Sequence, residues 1–228
     1  MVMAYKQYTM KKNDFCVFLD AGHGGIHPTT GEYTTSPSKR YKHKHHEFHG
    51  GGWFYEGVSN RAITYKVSEL LNNNNFNNVI VSHPYQDTFL SERAKLANNL
   101  SKNFKSSIYI SNHSNAANTK ARGFEVYTSP GVTKSDILAK MYWDEFSIEF
   151  ADEIHDNVIP MREGDDKKHH DKEARFTVLL TTAMPAILTE HLFFDNLDDA
   201  LLLIDDDFQN RIAKAQYNTI VKYYDSIF

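Results

Sequence analysis

Cysteine is almost absent: Cys16 is the only one in 228 residues. No intramolecular disulfide can form, so the fold does not depend on an oxidising compartment. Cys16 sits inside the apolar run Phe15-Cys16-Val17-Phe18-Leu19, where a buried strand residue is expected over a catalytic thiol. Long apolar runs are missing too, and mean hydropathy is -0.54, so no membrane span is expected. Net charge is only -4, from 25 basic and 29 acidic residues. That leaves no global field for holding nucleic acid or an anionic polymer, and attraction to either must be local. The first residues carry lysines but no apolar h-region, so no secretory signal is expected and synthesis is assigned to the cytoplasm. Internal repeats and a linker between two domains are likewise missing. One domain over residues 14–228 is expected, with 1–13 as an extension.

What is present alternates between two periods. Residues 15–19, 79–82, 108–111, 124–128 and 186–189 are short, apolar and rich in β-branched or aromatic side chains, and they are predicted strands. Helical spacing marks Ile63, Val67, Leu70 and Leu71, then Leu90, Ala94, Ala97 and Leu100. It returns at Ile137, Met141, Phe146, Phe150 and Ile154, and again at Ile212, Tyr217, Ile220 and Tyr224. Strands alternating with helices predict βαβ units, hence an α/β domain on a mostly parallel sheet. Three segments break the pattern. Residues 26–54 read as a long inserted loop with a basic, histidine-rich run; 72–78 (NNNNFNN) as a helix stop and turn; 162–173 as a solvated charged loop.

Two predicted strands end in polar runs that carry a histidine. Asp20-Ala21-Gly22-His23-Gly24-Gly25 follows the first, and Ser111-Asn112-His113-Ser114-Asn115 closes another. Ligands of open α/β sheets bind outside the carboxyl ends of strands, so both histidines are presented where chemistry happens. The glycines of the first run lack the Gly-Lys-Ser/Thr of a phosphate loop and the dinucleotide-binding spacing. Either histidine alone would read as structural; two on one sheet edge suggest a metal. Glu56 opens the first helical stretch and suits a third ligand, although a helix N-terminal acid is the plain alternative. Glu190 ends the apolar strand Ala186-Ile187-Leu188-Thr189, and a carboxylate there is costly unless paired or used. Beside a three-ligand metal with an open position it would take a proton from water.

Together these motifs resemble the zinc-dependent N-acetylmuramoyl-L-alanine amidases of the amidase-3 type, from about residue 14 onward. DAGHGG at 20–25, Glu56 with Asn60, Leu90-Ser91-Glu92-Arg93 with Asn98, and Ser111 to Ala116 match in order. So do Gly123-Phe124-Glu125-Val126-Tyr127 and Pro185 to Glu190 with Asp195-Asn196. The resemblance implies a twisted, mostly parallel sheet with helices on both faces. It implies hydrolysis of the amide between N-acetylmuramic acid and L-alanine of the peptidoglycan stem, with no nucleic acid or membrane partner. It implies one Zn2+ per chain on His23, Glu56 and His113, with Glu190 as catalytic acid and base. Asn115 and His191 are placed beside this set in either a supporting or a structural role. A phage endolysin released onto the cell wall suits a chain of this kind, and a bacterial enzyme exported by another route is the alternative. Ser82-His83-Pro84 departs from the Thr-Arg that the family often shows there.

Other readings compete. A zinc carboxypeptidase would need an arginine clamp, for which Arg93, Arg122 and Arg175 are candidates; an inactive wall-binding module would not need Glu190. His43, His45, His46 and His49 form a rival metal set, with His45 and His49 at a helical i,i+4 spacing. Lys39, Arg40, Lys42 and Lys44 oppose a cation there and suit capture of an anionic wall polymer instead.

Overall fold

A computed structural model describes residues 12–131, 133–165 and 167–228. The expected extension 1–13 therefore lies almost wholly outside the described residues. In chain order, β1 (Phe15–Ala21) is followed by β2 (Arg40–Lys42), β3 (Trp53–Tyr55), α1 (Glu56–Asn73), β4 (Asn77–Ile80), α2 (Leu90–Ser101) and β5 (Ser106–Asn115). Then come β6 (Phe124–Thr128), α3 (Thr133–Glu149), α4 (Ala151–His155), β7 (Lys172–Glu173), α5 (Thr177–Thr181), β8 (Ala186–Phe193), α6 (Leu197–Ile204) and α7 (Asp206–Ile227).

Six strands form one sheet in the order β4-β1-β5-β8-β6-β7. β4, β1, β5 and β8 run parallel, and β6 runs antiparallel to β8. Strand alternation divides the core in two. Phe15, Val17 and Leu19 of β1, with Ile108 and Ile110 of β5, join α1, α3 and α7 on one face. Cys16 and Phe18, with Tyr109, Ala186 and Leu188, lie on the other face under α2 and α5. Helices thus cover both faces, as expected, and Cys16 is a buried strand residue whose thiol burial pushes up to about 12. No helix among the described residues is long and apolar enough to cross a membrane.

Two expectations need correction. The strand expected at 79–82 occupies Asn77–Ile80, because pairing with β1 begins at Asn77 opposite Cys16. Ser82 is then released to accept a hydrogen bond from the Ala21 N–H at 3.0 Å. The segment 26–54 is not plain loop: Arg40–Lys42 pairs antiparallel with Trp53–Tyr55 to form a separate ribbon. His43 and Phe54 anchor that ribbon in the protein interior. The asparagine run does stop α1. Asn75 takes φ 59°, a left-handed conformation asparagine tolerates, before Phe76 returns to the core.

Candidate metal centre

The parallel strands deliver His23 and His113 to one edge of the sheet, and the first turn of α1 meets them there. His23 follows β1 by two residues at φ 65°, a strained value for a non-glycine residue that the surrounding contacts must hold. Gly22 makes room for its partner: a Cβ there would lie 2.2 Å from His113 Cε1. Gly57 does the same for the helix, since its Cβ would lie 1.8 Å from the Gly24 carbonyl oxygen. The result brings Glu56 Oε1 to 3.2 Å from His23 Nε2 and 3.1 Å from His113 Nδ1. The imidazoles meet edge to face, with centroids 4.9 Å apart. One donor atom from each of the three residues falls within 4.8 Å of the others.

Neighbours fix this cluster from below. Asn60 donates to Glu56 Oε1 and to the Gly22 carbonyl, each at 3.3 Å, and accepts from the Ser114 hydroxyl at 3.2 Å. Asp20 is fully buried, accepting from Arg93 at 2.9 Å and from the Ser111 hydroxyl at 2.8 Å. Arg61 ties the His23 carbonyl to those of His83 and Pro84, at 2.7 to 2.8 Å. An arginine from α1 therefore holds this turn, where the sequence after β4 has Ser82-His83-Pro84. Burial opposes ionisation of Glu56, but the two imidazoles overcome it and hold the carboxyl well below the usual range. Burial lowers His113, keeping it neutral and a competent ligand.

Glu190 lies beside this cluster, in register between His113 of β5 and Glu125 of β6. Strand partners project on the same face, so the three side chains form a row. The two glutamates are driven apart electrically. Glu125 accepts from Arg162 at 2.6 Å, Lys172 at 2.7 Å, the Tyr127 hydroxyl at 2.6 Å and Asn115 at 3.0 Å. Those bonds outweigh its burial and hold it ionised below the usual range. Glu190 Oε2 is buried with no hydrogen-bond partner. Burial first, then the charge of Glu56, raise its pKa well above the usual carboxylate value, against the pull of Lys39. Two adjacent carboxylates with opposed environments are the arrangement in which one keeps its charge and the other moves a proton.

Several expected residues go elsewhere. His191 points to the opposite face of β8, fully buried, with Nε2 2.7 Å from the Tyr142 hydroxyl. Asn115, by contrast, donates to Glu125 of the row at 3.0 Å. The rival histidines do not form a cluster among the described residues. No helix runs through them, so the i,i+4 spacing of His45 and His49 has no meaning. His43 Nε2 donates to the Phe194 carbonyl at 2.9 Å, and His49 Nδ1 accepts the Tyr55 N–H at 2.8 Å. Of the candidate clamp arginines, Arg93 is buried against Asp20, and Arg122 is bound to Asp199 at 2.8 Å. The charged loop 162–173 is not merely solvated, because Arg162 and Lys172 come from it. Glu125 was visible in the sequence as a charge inside the apolar strand FEVYT. Arg61 left no such signal.

The sequence profile of the family Amidase_3, N-acetylmuramoyl-L-alanine amidase, matches residues 17–222. The N-acetylmuramoyl-L-alanine amidase CwlM of Bacillus licheniformis is 29% identical over 185 residues, 77% of this chain and 66% of its own. The endolysin of Bacillus phage SPP1 is 31% identical over 134 residues, 58% of this chain and 44% of its own. The chain thus spans less than two thirds of the length of either relative. Among solved structures, an N-acetylmuramoyl-L-alanine amidase from Clostridium difficile 630 shares the fold. It superposes with a TM-score of 0.72 at 24% identity, over 94% of this chain and 98% of that one.

Proposed function

Because the chain belongs to the N-acetylmuramoyl-L-alanine amidase family, we propose that it hydrolyses the amide joining N-acetylmuramic acid to L-alanine of the peptidoglycan stem. On this reading it acts on the cell wall, as an endolysin does, and it uses one zinc ion. The observation that carries the reading is the convergence of His23, Glu56 and His113 beside an unpartnered Glu190.

The residues fit the metal. Two nitrogens and a carboxylate are an ordinary catalytic zinc donor set. His23 Nε2 and Glu56 Oε2 are both buried without hydrogen-bond partners, a cost that a bound cation removes. His23, Glu56 and His113 would hold the zinc, which when bound polarises a carbonyl and makes water acidic enough to ionise near neutral pH. Glu190, whose pKa burial and the charge of Glu56 raise, takes the proton from the attacking water. It then hands that proton to the departing L-alanine nitrogen. Glu125 stays ionised throughout, fixed by Arg162, Lys172 and Tyr127, and supports the wall of the cleft next to Glu190. Asn60, itself held by the Ser114 hydroxyl, holds Glu56 in its rotamer, which keeps the donor set preorganised.

Mass spectrometry of digested peptidoglycan tests the reading. The expected products are stem peptides with a free L-alanine amine and glycan with a free lactyl carboxylate. Stems shortened at their far end, with the lactyl amide intact, would instead assign a carboxypeptidase. Binding without any product would leave a wall-binding module.

A further inference from the structure

The basic run at 39–44 is divided in two by the fold. Arg40 and Lys42 lean over the Trp53 ring, at 4.6 and 5.6 Å from its centroid, and Lys44 is exposed. Lys39 turns the other way. Its Nζ stands 3.6 Å from Glu56 Oε2, the buried carboxylate oxygen that lacks a hydrogen bond. Its charge also acts on Glu190, pulling against the burial that raises that group.

Lys39 is held there by construction. It ends a short 3-10 turn, Pro37–Lys39, whose Ser36 carbonyl accepts the Lys39 N–H at 3.0 Å. The Lys39 carbonyl accepts the Tyr33 hydroxyl at 3.0 Å, and the Tyr33 hydroxyl oxygen itself accepts the Gly57 N–H at 3.0 Å. Tyr33 in turn stacks on Tyr55, with ring centroids 4.4 Å apart. The backbone of Lys39 is therefore fastened to the first turn of α1, one residue from Glu56. Its side chain remains 38% exposed, open to a molecule entering from solvent.

With the set empty Lys39 pairs with Glu56, but beside a bound cation its charge would be unfavourable, since like charges a few ångströms apart repel. Such a charge is useful where a negative charge appears during reaction. Resting on the amidase reading above, we propose that Lys39 is a further catalytic residue whose ammonium binds the scissile carbonyl oxygen as it becomes an oxyanion. In that step the water oxygen bonds to the amide carbon, the C=O π pair moves to oxygen beside Lys39, and the water proton goes to Glu190. On collapse the C=O re-forms, the C–N bond breaks, and the nitrogen takes the proton from Glu190 as the lactyl acid is released. Lys39 keeps its protons throughout.

The test compares zinc-loaded wild type with Lys39→Met, Lys39→Arg and the control Lys44→Met, using muropeptides of a single stem. Removing an oxyanion donor costs on the order of 10²–10³-fold, so Lys39→Met should lose that much kcat while KM stays within about threefold. Metal analysis should still give one zinc per chain. Calorimetry supplies a second readout: a phosphinate analogue, tetrahedral and anionic at the scissile position, should lose affinity to a similar degree. Lys39→Arg should recover part of both, and Lys44→Met should match wild type. A kcat close to wild type, an effect on KM alone, or loss of zinc would each overturn the role given to Lys39. If wild type itself leaves the muramyl amide intact, it is the amidase reading that falls.

Discussion

Two regions of this molecule are rich in histidine, and they use it in opposite ways. At the sheet edge, His23 and His113 follow or close separate strands, converge on one carboxylate, and leave a buried ring nitrogen without a hydrogen bond. In the ribbon, His43 and His49 sit closer together in sequence, yet their ring nitrogens bond to backbone groups of Phe194 and Tyr55. The sheet-edge pair forms, with Glu56, a set that could hold a metal; the ribbon pair substitutes for regular backbone pairing in an irregular segment. Histidine count does not distinguish the two sets. The partner of each ring nitrogen does.

The largest expected effect is at the sheet edge. His113→Ala removes one of three donors and should abolish zinc binding and amidase activity together, read by metal analysis beside a turnover assay. Retention of a full zinc equivalent would move the metal elsewhere. In the ribbon, His43→Ala should leave zinc content unchanged but strand the buried Phe194 carbonyl and the packing of Tyr41 and Phe48. Its cost should appear as about 1–3 kcal/mol in denaturant unfolding. Loss of metal from this variant would erase the contrast between the two regions.

A smaller effect separates the regions by pH. Burial lowers both ribbon histidines, His49 to about 4. The unfolded chain takes up protons on them near pH 6.5 while the folded chain does not. Their contribution is therefore full above about pH 6.5 and falls away as pH drops toward 4. Protonation of His49 Nδ1 would also remove the acceptor of the Tyr55 N–H. Replacing both by glutamine should flatten the fall in melting temperature across that window. An unchanged slope would mean that these two groups do not govern acid sensitivity there.

The same contrast explains how much could be read from sequence. Long periodic segments announced themselves, because a helix such as α7 or a strand such as β1 repeats one physical requirement many times. Glu56, His113 and Glu190 stood out as candidates for a related reason: each is a polar residue where an apolar strand ends or a helix begins, and burial there without use is costly. The β2–β3 ribbon was not, because its pairs join residues that carry no alternation and depend on packing against Phe194. β7 has two residues and no pattern at all. α6 was missed because its run LDDALLLI is nearly continuous, although Asn196 caps it by accepting from the Asp198 and Asp199 N–H groups. Arg162 and Lys172 look like solvated charges until the fold closes them onto Glu125, 37 and 47 residues away. Lys39 is similar, since only the Tyr33 bridge reveals which way it turns.

The most direct measurement is made on Glu190→Gln, a change that keeps shape and removes the proton acceptor. If His23, Glu56 and His113 hold the metal and Glu190 moves the proton, zinc should stay at one per chain. Affinity for an uncleaved muropeptide should barely change, while turnover falls by on the order of 10²–10⁴-fold. A variant that loses its zinc would make Glu190 a ligand, and one that keeps near-full turnover would remove it from the chemistry.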